Sequence, residues 1–258
     1  MLLAFFYLIT LVRANTSMLN LDCDSTDPSD ELLPAHSNLA NVLLLKRNTF
    51  PDAINIETYV HIFADNSTYK GGWLNDTTIE KQIQVLDSGF NNTPFMFTLK
   101  GISRNVTRLP DDNRVDTVAL FKAKFRKGDY RTLNLYYVRE KPNYGVGTFP
   151  SMAAAVDRNT YELLLDGCMM GSNTTPGSSG SLHAGKTTIH EVGHWLGLLH
   201  TFRGGCSSAT GDYIADTPVE ADLSSQDNIF EICPIGRDSC PDYPGVDPIN
   251  DYMDYSTE

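Results

Sequence analysis

Three histidines at fixed spacing near residue 190 define the chemistry that the sequence can support, in a run that reads H-E-x-x-H-x-x-G-x-x-H. His190 and His194 are four residues apart, so on a helix their imidazoles lie one turn apart and can reach one metal ion. Gly197 tolerates a left-handed turn, after which His200 can return to the same ion. Three imidazoles leave one tetrahedral position of Zn²⁺ for water, which is typical of a catalytic rather than a structural zinc site.

The predicted reaction is metal-assisted hydrolysis of a peptide bond. Zinc lowers the pKa of a bound water and polarises the carbonyl, while Glu191, beside the metal, acts as the general base and later protonates the leaving amine. The alternative is an amphipathic helix that carries surface histidines by coincidence. In a chain with six His, this set of residues arises by chance at these offsets on the order of once in a hundred thousand. The remaining histidines lack such spacing, and we expect surface or core positions for His36, His61 and His183.

The helix that carries the motif must bury one face while the other faces the metal. Apolar residues recur at helical spacing at Ile189, Val192, Trp195, Leu196 and Leu199. They lie on the side opposite His190 and His194, so this side is predicted to pack against the protein core.

Elements upstream of the motif predict an α+β fold. Strands are predicted over residues 54–63, 95–102 and 132–138, and helices over 29–44 and 78–90. This succession indicates a twisted mixed sheet with covering helices, the zinc-binding helix among them. From Thr201 onward the sequence is rich in turn residues, which predicts an irregular, loop-rich lower subdomain.

The segment over residues 145–150, GVGTFP, is apolar and rich in glycine. Pro150 favours the edge of a sheet, because proline cannot donate to a neighbouring strand. In a peptidase such an edge could pair with an extended substrate and place its carbonyl over the metal. An ordinary edge or loop is the alternative.

Length and charge limit the classes of function. The 258 residues, 41% of them hydrophobic, suffice for one catalytic domain over 15–258, with an upper lobe to about residue 200 and a lower lobe over 201–258. A net charge of −12 argues against a nucleic-acid partner. We expect a monomer that acts on protein or peptide substrates.

The N-terminus predicts secretion. Residues 1–12 are nearly all apolar and precede a cleavage site after Ala14, so we interpret 1–14 as a signal peptide, with a membrane anchor as the alternative. After cleavage we expect an extracellular protein without stable membrane association. Six N-x-[ST] sequons are consistent with a secreted glycoprotein: Asn15, Asn66, Asn75, Asn91, Asn105 and Asn173.

Five cysteines in a secreted chain predict disulfide bonds, with one cysteine left over. We expect Cys206 to pair with Cys233 and Cys23 to pair with Cys168, which leaves Cys240 unpaired. A second hypothesis assigns Cys23 a different role, as a thiolate that occupies the open position of the zinc in a latent precursor.

The residues around the motif resemble a known family. The similarity lies in residues 185–188 (GKTT), 190–200, 201–206 (TFRGGC), 216–218 (DTP), 236–241 (GRDSCP) and 247–256 (DPINDYMDYS). Together these segments resemble the metzincin metallopeptidases, and in particular the short secreted fungal-type members of the pappalysin family. The resemblance runs from about Cys23 to the end of the chain.

That resemblance implies further site residues. Met253, in the family's Met-turn, would lie beneath the zinc as a soft floor, which suits a thioether. Tyr255 would point its phenol toward the metal and stabilise the oxyanion that forms on the attacked carbonyl. Plain core packing is the alternative for both residues.

Two departures from the family pattern are visible. Asp251 stands where members usually carry Asn, and the chain ends at Glu258, whereas members usually continue through another cysteine and a helix. With Cys240 expected to be unpaired, this predicts a C-terminally truncated chain, and a secreted zinc-binding pseudoenzyme or binding module becomes the alternative function.

Calcium is a second candidate ion, because carboxylates cluster in sequence near the family segment. The acids concerned are Asp212, Asp216 and Asp222. They lack the spacing of an EF-hand loop, so we expect solvated loop residues and assign no calcium site.

Overall fold

The computed structural model describes eight stretches of the chain. They cover residues 32–35, 53–107, 115–139, 145–157, 160–178, 184–207, 211–222 and 235–255. Residues 32–35 are helical, within the helix predicted over 29–44. The predicted signal peptide, Asn15, Cys23, His36, His183 and Cys233 lie outside the described residues.

A mixed sheet occupies the centre of the described structure. Its strands are β1 (Ile54–Ala64), β2 (Phe95–Val106), β3 (Leu133–Val138), β4 (Gly145–Gly147) and β5 (Cys168–Gly171). The order is β2-β1-β3-β5-β4, and only β4 runs antiparallel to its neighbour. The predicted mixed sheet is therefore confirmed, and β4 forms an edge of the sheet, as Pro150 indicated.

Helices cover both faces of this sheet. They are α1 (Asp76–Gly89), α2 (Val115–Phe125), α3 (Met152–Val156), α4 (Tyr161–Leu165) and α5 (Lys186–Trp195). Helix α1 begins at Asp76, before the predicted residue 78, because Asn75 Oδ1 caps it by accepting from the backbone N–H of Thr78 at 2.8 Å.

Helices α2, α3 and α4 and strand β5 were not predicted from the sequence. In α2 the apolar pattern is interrupted by Lys122, which is nevertheless buried. Its Nζ donates to the carbonyl oxygens of Leu165 and Gly167, at 2.6 and 2.9 Å, so the charge is satisfied by the turn that leads into β5. Strand β5 is short and fully buried, and such a strand has no alternating pattern.

Two apolar clusters, one on each face of the sheet, hold these layers together. On one face, α1 and α5 pack against the sheet through residues such as Leu86, Ile189 and Val192, which are buried together with Ile62 of β1. On the other face, Phe63 packs in a separate cluster against α2. The apolar side predicted for the zinc-binding helix is thus confirmed as its core-facing side.

His61 belongs to the core, as predicted for a histidine outside the motif. Its ring stacks on Tyr136 at 5.0 Å between centroids. Its two nitrogens lie within hydrogen-bonding distance of Ser103 Oγ, at 2.8 Å, and Asn134 Oδ1, at 3.0 Å. Burial lowers the pKa of His61, so the neutral ring is favoured.

The lower part of the chain is irregular, as predicted, but its disulfide differs from the prediction. Cys206 is bonded to Cys240, so the predicted Cys206–Cys233 pair is wrong and Cys240 has a partner. Cys168 is a free, buried thiol in β5, so the predicted pair with Cys23 is wrong as well. Spacing along the chain does not determine connectivity, which depends on how residues 235–240 return beside residue 206.

Candidate active site

The three motif histidines converge on one point. His190 and His194 project from α5, and Gly197, with φ of 100°, turns the chain so that His200 returns to them. The Nε2 atoms lie 3.1 Å apart for His190 and His194, 3.0 Å for His194 and His200, and 3.2 Å for His190 and His200. Ligands at zinc distances in a tetrahedron are separated by about 3.3 Å, so this arrangement fits one ion.

Backbone carbonyls hold two of these rings in the metal-binding tautomer. His190 Nδ1 donates to the carbonyl oxygen of Tyr252 at 2.6 Å, and His194 Nδ1 donates to that of Leu198 at 2.8 Å. A carbonyl only accepts, so the proton resides on Nδ1 and the Nε2 lone pairs face one another. Converging lone pairs repel each other unless a cation lies between them.

Burial keeps all three rings neutral. Removal from water lowers the pKa of His190, lowers that of His194 to about 3, and lowers that of His200 well below its ordinary value. The neighbouring imidazole rings lower the pKa of His194 and His200 further. Neutral imidazole is the form that binds a metal.

Aromatic rings surround the histidines. Phe202 stacks on His200 with centroids 4.7 Å apart, and the ring of Tyr255 lies 4.7 Å from His200. Phe149, just beyond β4, contacts His194 edge-on at 5.1 Å. The structure thus brings Tyr255 to the site. Phe202 and Phe149 were not predicted as site residues, although they lie within the singled-out segments 201–206 and 145–150.

Glu191 is buried beneath the edge strand. It is 1% exposed. Strand β4 passes so close to α5 that a Cβ on Gly145 would overlap Glu191 Oε1, and a Cβ on Gly147 would overlap the Glu191 backbone oxygen. The two glycines of β4 therefore allow the sheet edge to lie directly on the acidic residue of the motif.

Met253 lies under the motif helix, where the family resemblance expected it. It is buried, and a Cβ on Gly193 would lie 2.5 Å from its sulfur, so the glycine within the motif makes room for the Met-turn. The backbone N–H of Thr201 donates to the Met253 carbonyl oxygen at 3.3 Å, which ties the turn to the residue after His200.

Comparison with known proteins decides the family. Residues 129–257 match the family model described as pregnancy-associated plasma protein-A. An extracellular metalloprotease from Pyricularia oryzae is 39% identical over an aligned length of 267 residues. The alignment covers 98% of this chain and 88% of that protein. The chain belongs to the pappalysin family of metallopeptidases.

Two further likenesses agree with this assignment. An extracellular metalloprotease from Podospora anserina is 39% identical, covering 92% of this pappalysin and 82% of that relative. The solved structure of Tannerella forsythia mirolysin with a cleaved peptide has a TM-score of 0.60 and 25% identity, covering 81% of this chain and 86% of that one. The predicted metzincin-like α+β fold and peptide-hydrolase class are confirmed.

Buried side chains outside the motif hold the pappalysin's active-site helix. At its C-terminal end, Trp195 Nε1 donates to Asp166 Oδ1 at 2.8 Å, and Arg126 donates to the other oxygen of Asp166 at 2.7 Å. Before its first turn, Gln82 Nε2 donates to the Gly185 carbonyl oxygen at 2.9 Å. All three hydrogen bonds join residues far apart in sequence, so no local pattern in the sequence predicts them.

A cluster of charges supports the Met-turn. Arg237 donates to Asp247 at 2.5 Å, to Glu220, and to Asp254 at 3.5 Å. The other Glu220 oxygen accepts from Thr201 Oγ1 at 2.8 Å. One guanidinium thus faces three buried carboxylates, and it connects the segment after His200 with the Met-turn.

This cluster predicts a pH dependence of stability. Burial and the Asp254 carboxylate raise the pKa of Glu220 from 4.5 to about 7, so the folded protein holds a proton there that the unfolded chain releases near 4.5. Stability from this group is therefore lost as pH rises from about 4.5 toward 7. We expect Glu220→Gln to flatten the change of Tm between about pH 5 and about pH 7.5, measured by calorimetry.

Glu162→Gln is the matched control, because Glu162 is exposed on α4 and lies outside the cluster. It should keep the wild-type slope. An unchanged slope in Glu220→Gln would show that Glu220 holds no proton in this range.

The structure gives no support for calcium at the predicted acids. Asp216 and Asp222 are exposed, whereas Asp212 is buried and accepts from the backbone N–H of Ile214 at 2.9 Å. Within the described ranges, the one group of three or more potential ligands that converge is the three motif histidines. Calcium binding therefore remains a hypothesis without a site.

Proposed function

We propose that this pappalysin is a secreted zinc endopeptidase. His190, His194 and His200 hold the ion, Glu191 is the general base, and Tyr255 stabilises the oxyanion. The observation that carries the proposal is the convergence of three neutral imidazoles, two of them oriented by backbone carbonyls. Zinc held there polarises the scissile carbonyl and lowers the pKa of an attacking water.

The protein's own residues move the proton and stabilise charge. Glu191 accepts the proton of the attacking water and passes it to the leaving amine. Its carboxylate lies against Gly145, which restricts where it can point. The phenol of Tyr255, whose ring lies 4.7 Å from that of His200 and 5.7 Å from that of His190, donates to the developing oxyanion.

The edge strand β4 is the element proposed to bind the substrate. It pairs with β5 on one side and is the last strand of the described sheet. An extended peptide that adds to its other side would run past Glu191 and the three histidines. The structure of the related mirolysin with a cleaved peptide is consistent with a peptide substrate.

Secretion is supported by the relatives, which are named extracellular metalloproteases. Among the residues that the structure describes, no helix is both long and apolar enough to span a bilayer. We further propose that residues 1–14 are a signal peptide and that residues 15–258 form one catalytic domain that acts as a monomer.

Metal removal tests the function. The purified protein should cleave casein, lose this activity with a chelator, and regain it with about one equivalent of zinc per chain, quantified by metal analysis. A protein that binds one zinc but hydrolyses no peptide in a broad library would instead support the binding module.

A further inference from the structure

The structure separates the N-x-[ST] sequons into two classes. The side chains of Asn66, Asn75 and Asn91 are exposed. In contrast, the side-chain nitrogen of Asn105, on β2, is buried, and Asn173 is half-buried between Ser172 and Thr174, which are both buried. The sequence does not distinguish these sites, whereas of the five sequons within the described ranges the fold exposes Asn66, Asn75 and Asn91.

The hydrogen bonds of the exposed side chains are compatible with a sugar on their nitrogen. Asn75 caps α1 through Oδ1, which accepts from the backbone N–H of Thr78. Asn66 also uses Oδ1, which accepts from the backbone N–H of Thr68 at 3.0 Å and from its hydroxyl at 2.5 Å. A glycosylated asparagine keeps its carbonyl oxygen, so both sets of contacts persist after modification.

We propose that Asn66, Asn75 and Asn91 carry N-linked oligosaccharides and that Asn105 does not. The proposal rests on the secretory route of the proposed function. The donor is a lipid-linked oligosaccharide diphosphate: the amide Nδ2 forms a bond to C1 of its first sugar and loses a proton to a base. The bond between C1 and the diphosphate oxygen breaks, and the lipid diphosphate leaves with that electron pair.

The three sites lie in the segments that connect β1, α1 and β2. Asn66 follows β1 by two residues, and Asn75 and Asn91 lie just before and just after α1, whose 14 residues span about 21 Å. None of the three asparagines therefore belongs to the proposed substrate-binding strand.

Burial of its side-chain nitrogen excludes Asn105 as a glycosylation site. Its Nδ2 is buried, with no exposed surface to which a sugar could attach, and the residue pairs with Phe63 of β1 near the end of β2. A sugar there would force β2 away from β1, because buried atoms are packed at crystal-like density.

The test is site mapping of the full chain secreted by a yeast host. Release of the glycans in ¹⁸O water converts each modified asparagine to labelled aspartate, which peptide mass spectrometry locates. We expect label at Asn66, Asn75 and Asn91 and none at Asn105. Secreted protein with label at Asn105, or without label at the three exposed sites, would overturn the proposal.

Two variants at the Asn75 sequon distinguish the loss of the glycan from the loss of the helix cap. Thr77→Ala destroys the sequon but keeps Asn75 as the cap, so one glycan mass should be lost with no drop in Tm of the deglycosylated protein. Asn75→Gln removes both, and here we expect a lower Tm. If Thr77→Ala keeps the full glycan mass, Asn75 is unmodified and the assignment is wrong.

A failure of the proposed function can be distinguished from a failure of the glycan assignment by measuring activity and glycosylation together. Casein cleavage of the deglycosylated protein should equal that of the glycosylated protein, because none of the three asparagines lies in β4 or among the proposed zinc ligands and catalytic residues. Secreted, unmodified and active protein would refute the glycan assignment alone, whereas a protein that stays unmodified inside the cell would refute the secretory route and the assignment with it.

Discussion

Replacement of Glu191 by glutamine is expected to lower kcat by about 100- to 10,000-fold while zinc remains bound. Glutamine has nearly the same shape and fits the same buried space against Gly145, but it cannot accept a proton from water. His190 and His194 keep their tautomers, because their Nδ1 atoms donate to backbone carbonyls and do not contact Glu191. Steady-state kinetics on a quenched peptide, together with metal analysis, measures both expectations.

Tyr255→Phe is the variant whose loss of activity is compared with that of Glu191→Gln. It removes a single hydroxyl and leaves the ring beside His200 and Phe202, so we expect kcat to fall by about 100-fold with little change in KM. Full activity in Glu191→Gln would refute the assigned base. Loss of zinc in that variant would show instead that Glu191 is required for metal binding.

The second large effect is expected where β4 crosses the active-site helix. In Gly147→Ala the new methyl group meets the backbone oxygen of Glu191, which cannot move without distorting α5. We expect a loss of about 1–3 kcal/mol in the free energy of unfolding, measured by denaturant titration.

Gly145→Ala provides the matched control two residues away on the same strand. Here the methyl group meets the Glu191 carboxylate, which can rotate aside, so stability should change less. The displaced base should instead lower kcat, by about 100-fold for a shift of about 1 Å. If Gly145→Ala retains wild-type kcat, the edge strand does not control the position of the base.

Local patterns predicted most of the fold that positions the site. The helix found at Asp76–Gly89 and the strands found at Ile54–Ala64, Phe95–Val106 and Leu133–Val138 match predicted elements within a few residues. Helix α1 follows the helical period, and β3 is an apolar run that is buried at all six positions. Helix α2 and strand β5 carry weaker signals, because Lys122 interrupts the apolar pattern of the first and the second has only four residues.

The disulfide was predicted incorrectly for a related reason. Ser239 is hydrogen-bonded to Asp247, and Arg237 forms ion pairs with three carboxylates. These contacts hold residues 235–247 beside the segment after His200, and Cys240 is thereby placed next to Cys206. These are contacts between polar residues in irregular loops, and no periodicity in the chain reports them.

By itself, the sequence determined the metal chemistry of this pappalysin. The spacing of His190, Glu191 and His194 along one helix places them together whatever the rest of the chain does, because helical geometry is local. Tertiary structure alone decided what surrounds that chemistry: the edge strand against Glu191, the ring of Phe149 against His194, and the partner of Cys206. Each of these contacts joins surfaces whose approach depends on the packing of the whole domain.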